Sequence, residues 1–366
     1  MKNVINDTEA IDKILTIIRS QTNYDFLPYR RQTLTRRIIK RLKANKIENL
    51  KEYIELLEVD TNEQRTIVNE FLIGVTKFFR DNASFEVIEK RVIPEIVKKS
   101  FKERQNIKAW SVGCSSGEEA YSVAILFEEA MERLEMPVPY KVFATDIDGQ
   151  AIDAGSKGVY KKDIISDIPK AILEKYFINK KEAFQIIPEI RKNIIFSKHN
   201  ILQNPPFNKM DLISCRNMLI YLNNKAQKKT LANLRFALKR HGFLFLGSSE
   251  SLGSIQRSFE QIDRKAKIYK NIDTSSRVFR NKEELEMYTF FPKKTKKGAT
   301  LKEKFGYFIG QDLADAVDAV CIFVNEKFEI IHAKGNLGQY FSLPEDGFSN
   351  NLMTVFPSNL NIPIAD

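Results

Sequence analysis

Ile107-Lys108-Ala109-Trp110-Ser111-Val112-Gly113-Cys114-Ser115-Ser116-Gly117-Glu118-Glu119 is the stretch that decides the fold. Its first six residues suit a buried strand, and the strand stops at a glycine. Gly113 and Gly117 bracket a tight turn, where a backbone without Cβ can bend sharply and approach a ligand closely. Glu118 to Leu134 then reads as a helix. A strand that runs through a short loop into a helix N-terminus is the unit from which open α/β sheets build their ligand crevices.

Outward from this point the pattern repeats. Tyr140–Thr145 reads as a second strand ending at Asp146, and Asp211–Cys215 as a buried one. Ala226–Lys239 reads as a helix closed by His241-Gly242, with a strand at Phe243–Leu246. The alternation predicts an α/β fold, a doubly wound sheet with helices on both faces. Phe259–Ile262 and Ala266–Tyr269 are expected to pair as a hairpin at one edge. Residues 1 to about 90 read as helical, with Leu34, Ile38 and Leu42 forming an apolar stripe at i, i+4 spacing. Ser275-Ser276 and the lysine run at 293–297 mark a linker over 272–304. Ala319–Val324 and Phe328–His332 flank the polar Asn325-Glu326-Lys327 and predict a further hairpin, opening a small domain at 305–366.

With 366 residues, 43% of them hydrophobic, the chain has enough material for two or three compact units. No run approaches the ~18 apolar residues needed to span a bilayer. Met1–Asp7 lacks the apolar stretch of a signal peptide, so a cytoplasmic protein without an integral membrane segment is expected. Cys114, Cys215 and Cys321 are widely spaced, as are His199, His241 and His332, so neither a disulfide framework nor a metal site is expected. The net charge of +11 favours anionic partners. Part of it is concentrated between Pro28 and Lys46, which hold eight cations and no acid. Like charges one turn apart repel. That segment therefore reads as a binding face more readily than as an ordinary solvated helix surface.

The turn after the first strand fits two chemistries. Gly113-Cys114-Ser115-Ser116-Gly117 satisfies the G-x-S-x-G elbow of α/β hydrolases, with Ser115 as nucleophile and a histidine such as His241 as base. Asp146, about thirty residues on, discriminates better. A carboxylate at that strand end can accept hydrogen bonds from both hydroxyls of a ribose. Its alternative role is a helix N-cap, which Asp148 is placed to fill better. There is no G-x-G-x-x-G, and Glu118 and Glu119 would repel a pyrophosphate at that helix start. They suit a cationic nucleoside instead, and S-adenosylmethionine carries a sulfonium and an ammonium but no phosphate. Arg216 and Asn217, directly after the Asp211–Cys215 strand, point toward the same crevice; a salt bridge and a helix cap are the alternatives. In Gly74–Asp81, Phe78 and Phe79 read as core, and Arg80 as a candidate ligand contact.

Taken together, Gly74–Asp81, AWSVGCSSGEEAYS from Ala109, VFATDID from Val142, DLISCRNMLIY from Asp211 and GFLFLGSSE from Gly242 resemble, in order and spacing, the CheR family of chemotaxis receptor methyltransferases. The resemblance covers about residues 8–271. It implies a helical N-terminal domain at 1–90. A Rossmann-like class I methyltransferase sheet at 91–271 would follow, with a small β-subdomain inserted at 158–200. The segment 305–366 resembles the opening of a PAS domain, giving a partial PAS-like α+β piece. The implied activity is glutamate O-methylation of methyl-accepting chemotaxis-type receptors, with S-adenosyl-L-methionine as methyl donor and S-adenosyl-L-homocysteine as product. Cofactor binding is carried onto Thr76, Arg80, Glu119, Asp146, Asn200, Ile201, Cys215 and Arg216. Gly113 and Asn217 join them from the reading of the loops. Tyr221 matches the family's active-site tyrosine, and Arg80, Arg216 and Tyr221 are the expected catalytic residues. Arg30, Arg36, Arg37, Lys40 and Arg41 are expected to dock on the cytoplasmic helices of a receptor. Phe177–Phe196 contains no glycine, which resembles the members that do not need a receptor pentapeptide. The competing readings are a hydrolase using Ser115 and a nucleic-acid-binding methyltransferase using the basic helix. A partner other than nucleic acid is expected.

Overall fold

The computed structural model describes residues 7–22, 24–272, 321–324 and 330–334. The chain divides into two compact units, Met1–Phe290 and Phe291–Asp366.

The first unit opens with four helices: α1 (Thr8–Thr22), α2 (Arg31–Ala44), α3 (Leu50–Val59) and α4 (Thr61–Leu72). Local chemistry sets their ends. The Asn49 side chain accepts from the Glu52 N–H, and Asp60 accepts from Asn62 and Glu63, satisfying N–H groups that a helix start leaves without partners. α1 buries Ile11, Ile14, Leu15 and Ile18, and α2 buries Leu34, Ile38 and Leu42, the stripe legible in the sequence. These faces meet with α3 and α4 in one apolar cluster. α5 (Asn82–Val87) continues through a wide π turn at Ile88–Val92 into α6 (Ile93–Glu103). Pro94 lies just inside α6. It has no N–H to give the carbonyl one turn back, which accounts for the widened turn.

The main sheet has seven strands in the order β6-β2-β1-β7-β8-β10-β9. They are β1 (Ile107–Val112), β2 (Tyr140–Asp146), β6 (Ile194–Lys198), β7 (Met210–Cys215), β8 (Leu238–Leu246), β9 (Phe259–Asp263) and β10 (Ile268–Asn271). β6, β2, β1, β7 and β8 run parallel, and β10 and β9 add an antiparallel edge. All six residues of β7 are buried, as expected for a strand covered on both faces. The strand order reverses between β1 and β7, later strands being added outward on either side, so the crevice beyond their carboxyl ends is where such a sheet binds ligands. α7 (Glu118–Leu134) and α8 (Gly149–Lys157) follow β1 and β2. Between α8 and β6 lie β3 (Val159–Lys161), α9 (Lys170–Tyr176), β4 (Phe177–Asn179), β5 (Ala183–Ile186) and the single turn α10 (Pro188–Arg191). β3, β5 and β4 form a separate antiparallel sheet of three strands. β6 belongs to the main sheet, paired with β2.

One local reading is corrected. α11 (Asn224–Ala237) starts on an Asn223 cap and stops two residues before Lys239; β8 begins at once with Leu238. His241-Gly242 is therefore a kink inside a strand, not a helix stop. His241 has φ +63°, and the register with β7 slips between Met210 and Leu212. A Cβ at Gly242 would stand 2.8 Å from the Met210 carbonyl oxygen, so glycine is needed there to let two strands approach.

In the second unit β11 (Cys321–Val324) pairs antiparallel with β12 (Ile330–Lys334), the hairpin expected from the sequence. The remaining residues of the linker and of the PAS-like segment, apart from Ile272, lie outside the described residues. Among the described residues no helix is long and apolar enough to cross a membrane.

Candidate cofactor and active site

The turn after β1 is held by the end of β2. The N–H groups of Gly113 and Cys114 donate to the Thr145 carbonyl oxygen at 2.8 and 3.0 Å. The Ser115 N–H donates to Asp146 Oδ2 at 2.8 Å. Gly113, Ser115 and Gly117 all have left-handed φ, and a Cβ on Gly117 would stand 2.7 Å from the Phe196 ring. Asp146 also accepts the Asp148 N–H at 2.9 Å through Oδ1. Asp148, not Asp146, caps α8, accepting from Gln150 and Ala151. Asp146 is thus half-buried at the cleft with oxygen lone pairs left over. Burial raises its carboxyl above the ordinary aspartate value, against the N–H bonds that lower it.

Glu119, in the first turn of α7, points to the same cleft. Its Oε1 accepts from Ser111 Oγ at 2.9 Å, and its Oε2 lies 3.4 Å from Arg216 Nη1. Neighbouring Glu118 turns away to accept from Ser116 Oγ, and its burial raises its carboxyl.

Arg216 is only 2% exposed at its side chain. It bonds Asp81 Oδ2 at 2.7 Å and the Arg80 carbonyl at 2.9 Å, and it stacks over Phe245 at 4.4 Å and Phe85 at 5.2 Å. Its charge is already matched by Asp81 and Glu119, so it ties the Gly74–Asp81 segment to the sheet. Arg80 is less committed. Its Nη1 donates to the Val75 carbonyl at 2.7 Å, and the half-buried side chain lines the cleft.

One cavity gathers Thr76, Arg80, Gly113, Glu119, Asp146, Asn200, Ile201, Arg216, Asn217 and Tyr221. The His199 N–H donates to the Asp146 carbonyl at 2.9 Å, which brings the turn after β6 to that wall. Cys215 is the exception. It is wholly buried in β7 and does not line the cavity, and burial pushes its thiol well up. Two residues of this region were not singled out from the sequence. Tyr29 reaches the cavity from the chain just before α2, and burial, with Asp146 and Asp25 nearby, pushes its phenol up to about 12. Glu250, buried after β8, accepts four N–H groups: Met218 and Leu219 on Oε1 at 3.0 and 2.8 Å, Asn217 and Gly247 on Oε2 at 3.1 and 2.7 Å. It shapes the loop that carries Asn217 and Tyr221. An acid three residues beyond Gly247 in GSSE was its only sequence signal.

The basic helix finds its counter-charges on other helices. Arg41 makes a two-pronged pair with Glu63 at 2.9 and 2.5 Å, and Glu63 also accepts from Tyr53. Lys40 pairs with Glu70 and Arg31 with Asp12. Arg37 donates to the carbonyls of Glu70 and Ile73 and lines the cavity, and Arg30 Nε donates to the Leu222 carbonyl. Arg36 is exposed.

Ser115 uses its backbone N–H on Asp146, and among the described residues no histidine bonds its hydroxyl. His241 sits at the kink near the start of β8, away from the cavity at the strand ends. The elbow therefore lacks the base a hydrolase needs.

Residues 74–268 match the model of the CheR methyltransferase SAM-binding domain, and residues 9–72 that of the CheR methyltransferase all-alpha domain. The chain belongs to the CheR methyltransferase family. It is 30% identical to a chemotaxis protein methyltransferase of Listeria innocua over 64% of this chain and 87% of that protein. It is 28% identical to one of Borreliella burgdorferi over 68% of this chain and 90% of that protein. It is also 32% identical, over 99% of its length, to an uncharacterized 104.1 kDa protein of Rhodobacter capsulatus, of which it spans 38%. The chain is thus a methyltransferase of the CheR type, and the cavity at the strand ends is lined by the carboxylates Glu119, Asp146 and Asp148.

Proposed function

We propose that this chain transfers the methyl group of S-adenosyl-L-methionine to glutamate side chains on the cytoplasmic helices of a chemotaxis-type receptor. The observation that carries the reading is the convergence of Asp146, Glu119 and Arg80 on one cavity at the sheet's switch point. Asp146 would take the ribose hydroxyls on its free lone pairs. Glu119 would face the ammonium of the amino-acid tail, and Arg80 a carboxylate. When bound, the cofactor supplies a methyl group made electrophilic by its sulfonium. Asn200, Ile201, Gly113 and Asn217 would line the remainder of its site, and Thr76 its mouth. Arg216 acts through Glu119 and the Gly74–Asp81 segment.

The acceptor needs little help. A glutamate side chain, with a reference pKa of about 4.3, is already ionised at pH 7, so no general base is required. Opposite charges cancel as the transition state forms, so a cleft that excludes water favours the reaction. Tyr221 and Arg37 line that cleft and would position the incoming carboxylate. Orientation of two bound partners is worth up to ~7–11 kcal/mol.

The helical segment 1–90 would dock the receptor through Arg36, with Arg37 at the cavity. Lys40 and Arg41 would support that face by holding its helices together, and Arg30 by tying it to the loop at Leu222. The methyltransferase domain would span 91–271, with the inserted three-stranded sheet between α8 and β6 and so ending short of the expected 200, because Ile194–Lys198 belongs to the main sheet, and the protein would act in the cytoplasm. The β4–β5 connection is a tight turn without glycine, closed by Lys180 N–H to the Ala183 carbonyl at 2.8 Å, which suits independence of a receptor pentapeptide. The test is transfer of labelled methyl to a receptor cytoplasmic fragment. Base-labile label on glutamates supports the reading; label on nucleic acid, or no transfer with S-adenosylmethionine bound, refutes it.

A further inference from the structure

Tyr160, on β3 of the three-stranded sheet, donates its hydroxyl to the Ser116 carbonyl oxygen at 2.7 Å. That carbonyl lies in the turn whose Ser115 N–H meets Asp146. The turn contains three left-handed residues, Gly113 at φ +71°, Ser115 at φ +50° and Gly117 at φ +92°, and its bonds to the end of β2 come from Gly113, Cys114 and Ser115, leaving the Ser116 carbonyl to be held by Tyr160. The same small sheet also touches the opposite wall of the cleft. The Tyr160 ring packs edge-on against Phe78 at 4.9 Å, and Phe78 against Phe177 of β4 at 5.4 Å. Phe78 belongs to the segment that carries Thr76 and Arg80. Lys77 of that segment reaches Asp167, beyond β3, at 3.3 Å. Tyr160 is 8% exposed and does not line the cofactor cavity.

We propose that Tyr160 is a positioning residue for cofactor binding, and that the small sheet braces the Gly113–Gly117 turn through it. The proposal rests on the reading of the cleft as the S-adenosylmethionine site. Losing one buried hydrogen bond frees the turn to leave the conformation in which Asp146 is correctly aimed. The effect falls on affinity, because Tyr160 touches neither the methyl group nor the acceptor. By linkage, a partner that shifts the small sheet would change cofactor affinity, and bound cofactor would change the partner's affinity by the same factor.

The test is calorimetric titration of the full chain with S-adenosylhomocysteine. Y160F keeps the ring that fills the core. Its Kd is expected to rise about fivefold to tenfold, the scale of one buried hydrogen bond. KM for S-adenosylmethionine should rise in step, with kcat at saturation within about twofold. Y121F is the control. It removes the bond from Tyr121 to the Gly155 carbonyl at 2.8 Å in the same core, and its Kd should stay near wild type at a similar loss of melting temperature. Equal weakening in both variants, or none in Y160F, overturns the proposal. A wild-type chain that binds no S-adenosylhomocysteine overturns the cofactor reading along with it.

Discussion

Glu250→Gln is the substitution whose cost the structure fixes best. Each carboxylate oxygen of Glu250 accepts two backbone N–H groups, at 2.7 to 3.1 Å, and the residue is 4% exposed. An amide keeps one acceptor oxygen and turns an NH2 group toward the other two donors. Two buried N–H groups then lack a partner, at about 1–3 kcal/mol each, so the loss is roughly 2–6 kcal/mol. For a domain of this size ~1 kcal/mol moves the melting temperature by about 2–4 °C, so a drop of about 5–20 °C is expected. There is no room for the loop to retreat: a Cβ at Gly247 would stand 2.8 Å from Glu250 Oε2 and 2.9 Å from the Asn217 nitrogen. Thermal unfolding measures the loss. Titration with S-adenosylhomocysteine below the melting range measures what the Asn217–Tyr221 loop loses, expected at tenfold or more in affinity. A Gln variant that melts within about 2 °C of wild type would refute the argument that this carboxylate holds the loop.

Asp146→Ala should weaken S-adenosylhomocysteine at least a hundredfold by calorimetry, since two hydrogen bonds to a charged acceptor are worth about 1.5–3 kcal/mol each; a change below tenfold would remove Asp146 from the ribose. Because burial raises the Asp146 carboxyl, affinity should fall as pH drops through a value above the ordinary 3.8, and an Asp146→Asn variant should lose that dependence. Ser115→Ala should retain most methyl transfer; complete loss with cofactor binding intact would reopen a nucleophilic role. In the helical part, burial raises the Glu63 carboxyl but its bonds to Arg41 and Tyr53 outweigh that, leaving it lowered. Its stabilising contribution is then full above the unfolded value of 4.5 and is lost as pH falls through the folded one, so acid unfolding followed by circular dichroism should begin below that point and flatten in Glu63→Gln. Arg41→Met should cost up to about 3–5 kcal/mol by leaving Glu63 buried without its cation, with the Tyr53 hydroxyl still donating to it, whereas Arg36→Ala should stay within ~0.5 kcal/mol in stability and yet slow methylation of the receptor fragment severalfold.

Much of this was legible in the chain itself, for reasons that are local. The bounds of β1 and α7 coincide with the reading because a buried strand, a glycine turn and an apolar-periodic helix each leave a pattern within a few residues. Asp148 as the α8 cap, which leaves Asp146 to the cleft, was equally local. What the sequence could not show depends on distant partners. His241-Gly242 carries the signature of a helix stop, and only the approach of Met210 makes it a kink in β8. The cations of α2 look unopposed because Asp12, Glu63 and Glu70 come from α1 and α4. The sequence leaves Arg216 open between a ligand contact and a salt bridge, and only Asp81, 135 positions away, reveals the bridge that it makes while also lining the cavity. Glu250 is nearly silent for the same reason, since its partners lie 31 to 33 residues upstream except for Gly247.

The seam between the helical part and the sheet is written in main-chain atoms. The Arg30 N–H donates to the Tyr221 carbonyl at 2.7 Å, and the Asn223 N–H to the Pro28 carbonyl at 2.8 Å. Tyr29 and Leu222 pair between them as an isolated bridge. These pairings use main-chain atoms, and the Arg30 and Asn223 side chains add bonds to the Leu222 and Leu27 carbonyls beside them. Side chains on the outer helix surfaces can therefore change while the joint still delivers Tyr221 to the same place.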